Sequence, residues 1–250
     1  MRKIAVFVEG QTELIFTREL LLKCYDYQGL ALECYSLFND ADLNPEEYAF
    51  PNPTATIYYQ ILNIGNDQKV LSSILKREKY LFSENQAFHK IVGLRDMYSK
   101  EYRATTTNHQ ISTEINQKFI DAHQRTIEER AHQPDKIVFQ FSIMELEAWF
   151  LGMPHLFLHD NLTTTTVEGA LAIDLEKIDP ETTVFHPANT LHAILELGGG
   201  QYAKKKEEIN TIMGRTTKED FQALYESEKC SSFNQYCEAL ELTLASDKEG

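Results

Sequence analysis

Residues Lys3–Val8 read KIAVFV, an apolar, β-rich run that stops at Glu9-Gly10-Gln11-Thr12-Glu13. A strand apolar on both sides is one buried on both faces, as in the middle of a parallel sheet. Parallel strands require crossover connections, so this short run constrains the architecture strongly. Gly10 permits a tight turn. The spacing of Leu14, Phe16 or Thr17, and Leu20–Leu21 predicts a helix directly after it, capped by Thr12. A strand-to-helix junction accounts for the glycine and the cap. It does not account for two carboxylates.

The same alternation recurs downstream. Leu30–Phe38, Thr56–Ile64, His89–Met97 and Asp135–Ile143 read as strands, and helical spacing marks 67–82 and Ile111–Gln133. Asn39–Thr54 holds three prolines and reads as a loop or insertion. Tyr98–Gln110 is polar and rich in threonine, and reads as a mobile loop. The fifth strand runs into MELEAWFLG, the first turns of another helix. Beyond Gly152 no convincing central strand follows, and helical stretches are predicted near Val167–Ile178, Ala188–Leu197, Lys204–Met213, Lys218–Glu228 and Ser232–Ala245. The expected fold is α/β: a mostly parallel central sheet with helices on both faces over 1–152, followed by a helical C-terminal extension over 153–250 packed on it.

Composition bounds the function. With 42% hydrophobic and 25% charged residues the chain reads as an ordinary soluble protein. No apolar run approaches the ~20 residues of a membrane span, so no membrane partner is expected, and the short N-terminal apolar segment lacks a small-residue cleavage site and reads as a buried strand. Cys24, Cys34, Cys230 and Cys237 form no C-x-x-C pair and read as the reduced thiols of a cytoplasmic protein. A formal net charge of -14 argues against a chain that coats nucleic acid by itself. It leaves a nuclease open, because acids that bind metal add to such a deficit and a partner subunit can supply basic surface.

Ligands of open parallel sheets sit beyond the carboxyl ends of the strands. Three predicted strands end in acids: Glu9, Asp96, and Glu145 with Glu147. Glu9 is the hardest to dismiss, because a carboxylate at the end of a buried strand is costly unless something pairs it, whereas the others have bland explanations of their own. Glu13 complements a helix dipole, and Asp96 forms a turn or pairs with Arg95. Glu145 and Glu147 are two apart, so on a helix at most one faces a given site. Taken together at three strand ends, these hard oxygen ligands suit Mg²⁺ or Mn²⁺. Zinc is not expected, because soft ligands are missing and the histidines (His89, His109, His123, His132, His155, His159, His186 and His192) show no metal spacing.

In this order, VEGQTE, a strand ending at Asp96, and Ser142-Ile143-Met144-Glu145-Leu146-Glu147-Ala148-Trp149 resemble the Toprim superfamily. They are more closely similar to small stand-alone Toprim-like bacterial proteins and to the nuclease domain of the overcoming-lysogenization-defect (OLD) family. The likeness covers the α/β part and extends weakly through Gly199-Gly200-Gln201-Tyr202-Ala203-Lys204 and Ser232-Phe233. It implies a metal-dependent site for phosphodiester hydrolysis of DNA or RNA. Glu9 and Glu13 match the glutamate pair of the first junction, and Asp96 matches the first acid of an Asp-x-Asp strand end. Glu145 or Glu147 matches the later acid, with Glu147 preferred for the metal, and Lys204 matches a lysine near the site. The implied metal ligands are Glu9, Glu13, Asp96 and Glu147. Tyr98 stands where the second acid of Asp-x-Asp is expected, a departure that weakens two-metal catalysis. The likeness further implies an effector subunit beside a partner ATPase in anti-phage defence. The competing reading is a non-catalytic Toprim-like scaffold that binds an ATPase or a nucleotide.

Overall fold

A computed structural model describes residues 1–38, 42–106 and 110–244. In chain order its elements are β1 (Arg2–Val8), α1 (Gln11–Cys24), β2 (Leu30–Phe38), β3 (Asp42–Pro45), β4 (Ile57–Asn63), α2 (Val70–Leu81), β5 (Lys90–Asp96), α3 (Lys100–Thr105), α4 (Thr113–Arg130), β6 (Ile137–Ser142) and α5 (Glu147–Leu151). Helices α6 (Thr164–Leu171), α7 (Pro180–Thr183), α8 (Pro187–Leu197), α9 (Lys206–Arg215), α10 (Lys218–Glu226) and α11 (Ser231–Ala239) follow. The sheet runs β3-β2-β4-β1-β5-β6. All neighbours are parallel except β3, which lies antiparallel on β2. The expected α/β class and mostly parallel sheet hold.

Strand β1 shows why its sequence is apolar without alternation. Ile4, Val6 and Val8 point into one hydrophobic cluster and Ala5 and Phe7 into another, and all five are fully buried. Helices α2 and α4 cover the second face through Ile74 and Ile127. The first face carries α1, α5 and helices from the last third of the chain. Phe16 of α1 meets the rings of Trp149, Phe150, Phe221 and Phe233 at centroid separations of 5.1, 5.8, 5.9 and 6.3 Å. Tyr59 of β4 donates its hydroxyl to the Leu240 carbonyl at 2.8 Å, tying the end of the helical region to the sheet. Gly93 of β5 lets the opposite layer close. A Cβ there would lie 2.6 Å from the Phe139 ring and 2.8 Å from Ile74 Cδ1. Among the described residues no helix is long and apolar enough to cross a membrane.

Four local expectations are corrected. The segment expected as a loop after β2 contains β3, an exposed edge strand without an apolar face, so periodicity could not reveal it. The segment expected as a loop after β5 contains α3, capped by the Ser99 hydroxyl and anchored by buried Tyr102; His109 lies outside the described residues. Helix α1 takes Gly10 rather than Thr12 as its N-cap, and Thr12 is buried in the first turn. Helix α6 starts earlier than expected and stops at Leu171, where Ala172 turns left-handed at φ 55°.

Candidate metal centre

Parallel order places the carboxyl ends of β1, β5 and β6 side by side. Asp96 is the last residue of β5 and pairs in register with Ser142, the last of β6. Glu9 follows β1 immediately, and its Oε2 accepts the Asp96 N–H at 3.0 Å. After β6 the chain turns through Met144, which is fully buried with φ at 65°. That left-handed backbone is costly for a residue with a Cβ, and such strain concentrates at functional positions. It places Glu145 just ahead of α5 and Glu147 as its first residue. The helical projection that separates two residues at this spacing therefore does not apply. Both glutamates, contrary to expectation, converge with Asp96, and one ligand oxygen from each of the three lies within 4.8 Å of the others.

The three carboxylates share a pattern. Asp96 Oδ1 accepts the Ser142 hydroxyl at 2.6 Å and the Leu146 N–H at 2.9 Å. Glu145 Oε2 accepts the Ala188 N–H in the first turn of α8 at 3.0 Å. Glu147 Oε1 accepts the Tyr202 hydroxyl at 2.6 Å. The second oxygen of each faces Lys204 Nζ: Asp96 Oδ2 at 3.8 Å, Glu145 Oε1 at 3.4 Å and Glu147 Oε2 at 3.0 Å. One oxygen of every acid is thus held by a protein donor while the other faces a common point. Glu147 is fully buried, and its Oε2 makes the ion pair but no well-formed hydrogen bond.

Glu9 and Glu13 are not in this group of three. They line an adjoining cleft of ≈ 300 Å³ together with Asp96, Lys204, Gln11 and Asn66. Burial, then the charge of Glu9, pushes the Glu13 carboxyl up to about 7. Burial, then Glu13, pushes Asp96 well above the ordinary carboxylate range. For Lys204, burial acts to lower the pKa, but Glu147, Asp96 and Glu145 outweigh it and hold the ammonium above its ordinary range. Burial, then Glu147, keeps the Tyr202 phenol protonated. An all-oxygen donor set, a buried oxygen without a hydrogen bond, and carboxylates that outnumber the one lysine fit a cation. Asp96, Glu145 and Glu147 could hold a metal ion.

Tyr98 contributes no carboxylate. Its ring packs edge-on against His186 at 4.9 Å and Phe185 at 5.8 Å, with the Arg103 guanidinium 5.4 Å from its face. Two contributors were legible only as motif letters. Ser142 lies three residues before Glu145 and Tyr202 two before Lys204, yet nothing in spacing says that their hydroxyls orient acids. The Ala188 N–H leaves no trace in sequence at all. No protein-family model matches the chain, and searches of curated proteins and of solved structures likewise return no match.

Proposed function

We propose that the protein is a Mg²⁺- or Mn²⁺-dependent nuclease of the Toprim type, hydrolysing phosphodiester bonds of DNA or RNA. One observation carries this reading: Asp96, Glu145 and Glu147 each have one oxygen fixed by a protein donor and the other turned to a shared point. Hard, preoriented, monodentate oxygens are what a small dication selects. When bound, such an ion acidifies a coordinated water and offsets charge on the phosphoryl group. Glu9 fixes Asp96 through its backbone N–H, and Glu13 stands beside it in the cleft. Lys204 offers positive charge to the phosphate from the same wall. Ser142 and Tyr202 orient the acids. With a net charge of -14, a partner such as an ATPase supplies the surface that retains nucleic acid, which fits an effector role in anti-phage defence.

A specific observation favours a second reading. Lys204 already pairs with all three acids, and Tyr98, packed on His186 and Phe185, adds no carboxylate, as expected of a scaffold whose site no longer needs an ion. Calorimetric titration with Mn²⁺ separates the two. Saturable binding to the wild type that Asp96→Asn removes, with metal-dependent cleavage of DNA or RNA lost in the same variant, supports the nuclease. A folded wild type that takes up no Mn²⁺ at millimolar concentration supports the scaffold.

A further inference from the structure

Lys204 stands where a cation would be held. Its Nζ lies 3.0, 3.4 and 3.8 Å from the inward oxygens of Glu147, Glu145 and Asp96. The outer oxygens are taken by Tyr202, Ala188, and Ser142 with Leu146, so the acids cannot rotate to offer a second set. An ammonium and a divalent ion that need the same three oxygens exclude each other by charge as well as by space.

The backbone around Lys204 is fixed by hydrogen bonds, while its side chain is held through the ammonium, by the acids. The N–H groups of Ala203 and Lys205 both donate to Glu208 Oε2, at 2.7 and 3.1 Å. The Tyr202 carbonyl lies 2.8 Å from His192 Nδ1. Lys204 itself sits in the left-handed region at φ 56°, which aims its side chain across the acids. That side chain is 36% exposed and also lines the cleft shared with Glu9 and Glu13. A flexible lysine stem lets the ammonium leave the acids for the cleft by rotation about side-chain bonds alone.

We propose, resting on the metal reading above, that Lys204 is a tethered stand-in cation. Its ammonium offsets part of the charge of Asp96, Glu145 and Glu147 while no ion is bound, and entry of a divalent cation displaces it into the cleft, where it meets the phosphate of the substrate. Two consequences follow. The charge of the site is partly offset at rest, and ion and phosphate assist each other, because the phosphate gives the expelled ammonium a partner.

The test uses the full chain and Mn²⁺ as the probe. Calorimetry compares wild type, Lys204→Met and Lys204→Arg. Lys204→Met should bind Mn²⁺ roughly tenfold more tightly or better, because the competing charge is gone. Lys204→Arg keeps the charge and should bind no more tightly than wild type. In the wild type alone, acetylation of Lys204, read by peptide mass spectrometry, should rise severalfold when Mn²⁺ saturates the site. Equal or weaker Mn²⁺ binding by folded Lys204→Met overturns the stand-in role and leaves the metal reading intact. Equal tightening by Met and Arg overturns it too, because size rather than charge would then be responsible. Absence of binding in both wild type and Lys204→Met defeats the metal reading itself. If Lys204→Met does not fold, unchanged acetylation in the wild type decides against the proposal.

Discussion

Glu181, in α7, is buried directly behind α5 and sets a pH dependence that can be worked out in advance. Its Oε1 accepts the Trp149 indole N–H at 2.9 Å and the Ser232 hydroxyl, and its Oε2 accepts the Ser232 N–H at 3.1 Å, at the start of α11. Burial raises its pKa from 4.5 to about 7, against the lowering effect of the Ser232 and Trp149 hydrogen bonds. The folded state therefore holds a proton that the unfolded state has already released between those two values. The contribution of Glu181 to stability is fully present below pH 4.5 and is lost as pH rises through about 7. A displacement of this size corresponds to about 3 kcal/mol. Glu181→Gln keeps an acceptor for the donors and removes the ionisation. Urea unfolding of both proteins with a chelator present should show the variant gaining about 3 kcal/mol on the wild type between acid and mildly alkaline pH. Asp96 and Glu13, whose pKa values are also raised, slope the same way in both proteins and cancel in the difference. Parallel profiles would refute the reasoning and mean that Glu181 ionises at its ordinary pH despite burial.

Tyr202→Phe removes the hydroxyl on Glu147 Oε1, so unfolding in chelator should become easier by about 1.5–3 kcal/mol. The same variant should bind Mn²⁺ about 10–100-fold more weakly, because an unfixed acid is a poorer ligand; an unchanged affinity would deny Tyr202 any role in the site. Gly93→Ala forces a Cβ against Phe139 and Ile74, and its urea midpoint should fall by the equivalent of about 1–3 kcal/mol while Mn²⁺ affinity stays at wild type. Any nuclease activity should vanish in chelator and return with Mg²⁺ or Mn²⁺; activity that persists in chelator would remove the acids from the chemistry.

The parallel sheet was legible because burial on both faces leaves an unmistakable apolar run, and KIAVFV is one. The strand-end positions of Glu9 and Asp96 were legible for a related reason: each stands at the end of an apolar run, Glu9 just after β1 and Asp96 at the end of β5. Strand β3 and helix α3 were not, since an exposed edge strand and a helix of a turn and a half carry little periodic signal. The site divides along the same line. Its acids were named from where strands stop. That Glu145 joins Glu147 was decided by the left-handed turn at Met144, which keeps Glu145 off the helix. That Lys204 reaches the acids from far along the chain was decided by the packing of α8 and α9 and by Glu208 holding the backbone on either side of it. Local pattern records which faces are buried, because burial acts residue by residue. Which oxygen of a carboxylate is held, and which is left to face a cation, depends on donors brought together from distant segments, and only the tertiary structure assembles those.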